Sequence, residues 1–340
     1  MKNKKWIALA AAVVLAVTAL PMGVFAAKKD STEEKLTKVT LNEVAHSIFY
    51  APQYVAIEEG YFAEKGLDLT LVTGFGADKT MTAVISGEAD IGFMGAEASV
   101  YAYQEGATDP VVNFAQLTQR AGNFLVAREE MPDFKWEDLK GEKVLGGRKG
   151  GMPEMVFEYI LKKNGMDPQK DLTIDQSIDF GSTAAAFTGD DSAAYTVEFE
   201  PSATILEKEG AGYVVASLGE ASGYVPYTSY SAKASYMKEN PEIIQKFTDA
   251  LQKGMDYVQS HTPEEIAEVI APQFKETDLE TITAIVKRYY DQDTWKENLI
   301  FEKDSFELLQ DILEDAGELT DRTAYENLVQ TEYAQKACKN

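Results

Sequence analysis

The stretch Tyr50–Val72, YAPQYVAIEEGYFAEKGLDLTLV, encodes a helix, a tight turn and a strand, and it follows a first strand over Lys38–Val44. Tyr54, Val55, Ile57, Tyr61 and Phe62 recur at spacings of three and four, which predicts a helix with one buried stripe. Gly60 and Gly66 supply the stop and the turn, because glycine reaches φ > 0 without steric cost. Asp68–Val72 then alternates and is rich in β-formers. A strand–helix–strand unit this early in the chain predicts a parallel α/β sheet. Such sheets hold ligands beyond the carboxyl ends of their strands, so the loop Glu43–Phe49 becomes a candidate binding loop.

The first 26 residues read as a secretory signal peptide. Lys2, Lys4 and Lys5 precede an apolar run over Trp6–Leu20, and Val24 and Ala26 offer small residues for a cleavage site. The run is shorter than the ~20 residues of a bilayer span. The mature protein is therefore expected to be exported, periplasmic or at the cell surface, and not inserted in the membrane. Residues 27–37 read as a charged tether. Cys338 is the only cysteine, so packing alone must hold the core. The net charge of −24 repels nucleic acid and anionic membranes.

Beyond the tether, strand-like and helical segments alternate. Asp68–Val72 leads to a helix over Ala77–Ser86, Asp90–Met94 to a helix over Ala96–Gln104, and Val111–Leu117 and Asn123–Arg128 read as strands. A second α/β set runs through Lys143–Gly146, a helix over Met155–Lys163, Leu172–Ile174, Thr183–Thr188 and Ala193–Val197. Tyr213–Ala216 and Tyr227–Ser231 close the set, and from Pro241 the pattern is helical. The expected division is one lobe of residues 38–128 and 229–340 and a second of residues 129–228.

No catalytic or metal motif stands out. His46 and His261 lie far apart, with no ligand-spaced partner. No nucleophile elbow, Walker sequence or dinucleotide fingerprint is present, so neither enzyme activity nor a cofactor is expected. What remains is a set of strand-end loops, several opening a helix: NEVAHSIFY (42–50), TGFGAD (73–78), MGAEAS (94–99) and GGRKGGMPE (146–154). Free N–H groups at a helix N-terminus hold anionic groups, and glycines let a ligand approach the backbone. From these loops Glu43, His46, Phe49, Tyr50, Phe75, Gly76, Ala77, Gly95, Ala96, Glu97, Arg148, Gly150 and Gly151 are candidate ligand contacts.

The Tyr50–Val72 stretch followed by AVISGEADIGFMGAEAS resembles the N-terminal signature of one group of ABC-importer substrate-binding proteins. These are the nitrate, sulfonate and thiamine-precursor binders, together with the related thiamine-pyrimidine synthases. The resemblance continues through LKGEKVLGG (139–147), TGDDSAAYTVEFEP (188–201) and SYMKENPEIIQKFTDAL (235–251). It implies a type II periplasmic-binding-protein fold, with two α/β lobes closing on a small molecule. It also implies delivery of that molecule to a permease and its ATPase, by a protein expected to be a monomer. Tyr50 stands where the synthases carry a histidine, and their cysteine-rich segment falls at YVPYTSYS (224–231), without a cysteine. Both departures turn the reading away from an enzyme. By the same resemblance, Glu198 matches the glutamate that thiamine-precursor binders place on the pyrimidine amino group, although Ser192 replaces a usual aspartate.

Two ligand classes follow. A small anion such as nitrate or an alkylsulfonate would use Arg148 and Lys149. A nitrogen heterocycle would use aromatic walls with a carboxylate, drawn from Phe49, Tyr50, Phe75, Tyr195, Tyr224, Tyr227, Glu97 and Glu198. Carboxylates and aromatics outnumber cations in these loops, so the heterocycle is preferred. A secreted protein that docks on a receptor is the alternative of another class.

Overall fold

In the computed structural model, which describes residues 36–178 and 181–339, strand β1 (Thr37–Glu43) pairs in parallel with β2 (Leu67–Thr73) from Thr37↔Leu67 to Glu43↔Thr73. Between them the chain forms a short helical turn over Ile48–Tyr50, a helix over Ala51–Glu58 and a separate turn of helix over Tyr61–Glu64. The single helix expected here is broken at Gly60, whose φ of 73° is left-handed and re-aims the chain. The expected signal peptide and most of the tether lie outside the described residues. Among the described residues no helix is long and apolar enough to cross a membrane.

Two five-stranded sheets organise the rest. The first has the order β2-β1-β3-β10-β4, where β3 is Ile91–Gly95, β4 is Val111–Thr118 and β10 is Thr228–Lys233. The second has the order β7-β6-β8-β5-β9, where β5 is Asn123–Ala127, β6 is Lys143–Leu145, β7 is Thr173–Asp175, β8 is Tyr195–Phe199 and β9 is Tyr213–Ser217. Neither sheet is all-parallel as expected: β10 runs antiparallel to β3 and β4, and β5 runs antiparallel to β8 and β9. Each antiparallel strand adjoins a passage of the chain between the sheets, so its direction follows from that passage. The expected boundary at residue 128 grouped β5 with the first lobe, whereas its ladder bonds place it in the second sheet.

The core of the first sheet is aromatic. Phe93 on β3 stacks on Tyr230 of β10 with centroids 4.2 Å apart, and Phe247 meets Tyr230 edge-on at 5.5 Å. Phe247 comes from the long helix Pro241–Ser260, which crosses Ala51–Glu58 at a point where only a glycine fits. A Cβ on Gly254 would lie 2.3 Å from the Pro52 carbonyl oxygen and 3.1 Å from the Ala56 Cβ. The helix Leu279–Asp291, expected with the first lobe, packs on the helix Pro263–Ile270 and also bonds to the passage before β5 and to the chain that follows β8. Arg288 reaches Glu200 and Glu207, Lys208 reaches Asp278, and the Tyr289 hydroxyl donates to the Gly122 carbonyl at 2.8 Å.

Gly254→Val should therefore force the two helices apart. Denaturant unfolding should show a loss of about 2–3 kcal/mol, as overpacking of a close-packed contact does, with an unchanged denaturant slope.

Candidate functional site

The carboxyl ends of the parallel strands converge, as the α/β rule requires, on a cavity of about 270 Å³. From the first sheet come the loop Val44–Ser47 with Tyr50, the loop Phe75–Ala77, and Gly95 with Glu97. From the second come Gly146–Arg148, Gly151–Pro153, Gly181, Thr183 and Val197–Ser202. Asn123 at the start of β5, with Tyr227 and Thr228 at the start of β10, completes the lining where the chain passes between the sheets. The volume lies just below the range of ~300–1,000 Å³ for small-molecule pockets and suits one compact ring system.

The aromatic wall is built from inside the fold. Tyr50 is nearly buried and meets Phe93 edge-on at 4.5 Å and Phe49 at 5.1 Å. Tyr227 donates its hydroxyl to Asn123 Oδ1 at 2.8 Å. Phe75 differs from both: its φ of 58° is left-handed, a region that a non-glycine residue seldom enters, and its side chain is 70% exposed at the cavity edge. Ser47 Oγ donates to the Glu200 carbonyl at 3.1 Å, joining a first-sheet loop to the end of β8.

Carboxyl groups carry the electrostatics. Glu97 opens the helix Glu97–Gln104 after β3 and is 3% exposed. Burial pushes its carboxyl up to about 7, against the Arg148 charge and the Met152 N–H. Glu198 on β8 is equally buried, and it accepts a 2.6 Å hydrogen bond from Thr196 Oγ1. Burial also lifts its carboxyl to about 7, against bonds from Thr196 and Thr183. Arg148 is half-exposed and pairs with Asp78 at 3.6 Å. Among the described residues no group of His, Cys, Asp and Glu could hold a metal ion.

Of the residues expected from the sequence, His46, Tyr50, Phe75, Gly76, Ala77, Gly95, Glu97, Arg148, Gly151, Glu198 and Tyr227 line the cavity. Others do not. Glu43 is fully buried behind it and bonds to His46, Gln53, Tyr54 and Thr73. Phe49 packs in the core against Tyr289, and Ala96 is buried. Gly150 turns its carbonyl to the Tyr101 hydroxyl, and Tyr195 reaches Met131 Sδ. Tyr224 lies outside, under Arg120, with its hydroxyl on Asp293. Asn123, Thr183, Phe199 and Ser202 line the cavity without having been singled out. Asn123 reads in sequence as an ordinary first strand residue, and only its place at a sheet-to-sheet passage marks it.

The family described as NMT1/THI5 like matches residues 48–266. YtlA of Bacillus subtilis (strain 168), a binding protein by its designation, is 46% identical over 312 residues, covering 92% of this chain and 93% of its own. The riboflavin-binding protein RibY of Chloroflexus aurantiacus is 25% identical, covering 68% of this chain and 65% of its own. Among solved structures, the ligand-binding component of an ABC-type import system from Staphylococcus aureus superposes with a TM-score of 0.71 at 13% identity, covering 88% of this chain and 99% of that one. The alkanesulfonate-binding protein SsuA from Xanthomonas axonopodis pv. citri, bound to MOPS, gives 0.70 at 15% identity, covering 87% and 99%. The fold is thus that of the periplasmic binding proteins.

The two cavity carboxyls set a pH dependence of stability. Each has a folded pKa of about 7, above the model-compound value of 4.5, so the folded protein binds more protons than the unfolded chain between these values. Stability of the ligand-free protein should fall as pH rises from 4.5 to 7, by roughly 3 kcal/mol or less for each group. Glu198→Gln should flatten part of that fall in a melting-temperature series across pH 4.5–8.

Proposed function

The chain belongs to the NMT1/THI5-like family, and from that premise we propose that it is the exported solute-binding component of an ABC importer. It captures a small nitrogen heterocycle between two lobes and hands it unchanged to a permease driven by an ATPase. The bodies of the lobes are the two sheets, β1–β4 with β10 and β5–β9, and closure excludes water and joins contacts from both.

The observation that carries the ligand class is the charge inside the cavity. Glu97 and Glu198 are both buried on its walls. Arg148, the only arginine or lysine among the described lining residues, is half-exposed and already paired with Asp78. An anion would meet two buried carboxyls. A neutral or cationic heterocycle would meet acceptors for its N–H groups and the rings of Tyr50, Phe75, Phe199 and Tyr227. The similarity to a riboflavin-binding protein supports this class.

The anion reading has its own support in the similarity to an alkanesulfonate-binding protein and in the helix that begins at Met152 beside Arg148. Thermal denaturation separates the two. 4-Amino-5-hydroxymethyl-2-methylpyrimidine or riboflavin should raise the melting temperature, by the equivalent of about 2.7 kcal/mol at a hundredfold excess over Kd. Methanesulfonate and nitrate should leave it unchanged. Glu198→Ala should abolish the heterocycle shift and Arg148→Ala should spare it; the reverse pattern establishes an anion binder. Recovery of an altered compound after incubation would overturn the transport reading.

A further inference from the structure

Two polar side-chain atoms of cavity-lining residues have no hydrogen-bond partner among the described residues: Glu97 Oε2 and Asn123 Nδ2. Glu97 is 3% exposed and Asn123 is wholly buried. Buried polar groups in folded proteins are almost always paired, because an unpaired one costs its full desolvation. One such acceptor and one such donor on the walls of the same cavity therefore call for a complement.

Both groups are held by their neighbours. Gly95 and Thr228 are register partners across β3 and β10, which puts the Glu97 end of β3 beside the start of β10. A Cβ on Gly95 would lie 2.0 Å from Glu97 Oε2 and 2.5 Å from Oε1. The carboxyl thus rests against backbone that only glycine leaves open. The Tyr227 hydroxyl, one residue before Thr228, donates to Asn123 Oδ1. That bond fixes the amide, so the free terminus of Asn123 is a donor. The end of β3 that leads to Glu97 and the start of β5 that carries Asn123 are thereby both tied to the start of β10.

We propose that Glu97 and Asn123 together read one mixed edge of the ligand, the first accepting from an N–H and the second donating to a ring nitrogen or carbonyl. This rests on the heterocycle reading above and narrows it. The ligand class is one with a donor next to an acceptor, as in an aminopyrimidine or the imide edge of a flavin. Glu198, on the other sheet, takes a further donor. A simple anion offers acceptors only and would leave Glu97 Oε2 unpaired. A site whose polar groups are all answered by the ligand rejects an analogue lacking one of them far more strongly than an apolar pocket rejects a missing methyl group.

Isothermal titration tests this with two ligand pairs. Each pair is a parent and an analogue without the donor: 4-amino-5-hydroxymethyl-2-methylpyrimidine with its des-amino analogue, and riboflavin with N3-methylriboflavin. The intact protein should bind at least one parent and lose about tenfold or more on its analogue. Glu97→Met and Asn123→Leu should each weaken the bound parent by a similar factor. Equal affinity for parent and analogue overturns the proposal, and it does so on the unmodified protein, whatever the variants do. Retained parent affinity in both folded variants overturns it as well, while the heterocycle reading stands. Binding of neither parent by the intact protein removes the heterocycle reading itself and this proposal with it.

Discussion

A single buried carboxyl, that of Glu43 at the end of β1, ties together the parts on which the cavity rests. It is fully buried, and both its oxygens are shared by two partners. Oε1 accepts from His46 Nδ1 at 2.8 Å and Thr73 Oγ1 at 3.1 Å, and Oε2 accepts from Gln53 Nε2 and the Tyr54 hydroxyl at 2.8 Å. The network extends outwards. Gln53 Oε1 receives the Tyr230 hydroxyl from β10, and His46 Nε2 lies 2.9 Å from the Gln273 carbonyl. With an acceptor at each ring nitrogen, His46 favours its charged form. Its pKa is raised, chiefly by the bond to Glu43 and against its partial burial. Such a cluster is costly to bury and rigid once every member is satisfied. Its rigidity fixes the loop Val44–Ser47, which forms one wall of the cavity.

The cavity carboxyls show the same residue type in a different condition. Glu43, Glu97 and Glu198 are alike in burial. Glu43 has four donors around it, whereas Glu97 keeps one oxygen without any. A fold able to complete one buried carboxyl so thoroughly, a few residues from the cavity, did not lack donors in general. Glu43 at the end of β1 meets Gln53 and Tyr54 of the adjoining helix, whereas Glu97 opens the helix after β3 on the cavity wall.

Much of this was legible in the chain. Helical periodicity located Ala77–Ser86 to the residue, because it carries a clear apolar face and a definite end at Gly87. Strand positions came within a few residues, and the strand-end loops pointed to the cavity. Strand direction was not legible, because β5 and β10 look like any apolar strand and owe their orientation to passages between sheets. Short helices such as Ser202–Lys208 and Leu218–Ser222 are too brief to show a period. Within the site, Gly95 and Glu97 were marked by their place in a strand-end loop, and Glu198 by the family resemblance alone. Phe49 looked equivalent to Tyr50 in sequence, but an aromatic in a loop can face the core as readily as the cavity. Only the fold separates them.

The helix Leu279–Asp291 has a mechanical consequence. The chain passes between the sheets at residues 119–122 and again after β9, and two such passages would allow the second sheet to swivel as well as to hinge. The helix adds a third attachment, since Arg288 grips Glu200 and Glu207 while the chain just beyond it returns to β4 at Trp295 and Leu299. Any movement of one sheet against the other must therefore strain the Arg288 ion pairs as well as bend the two passages.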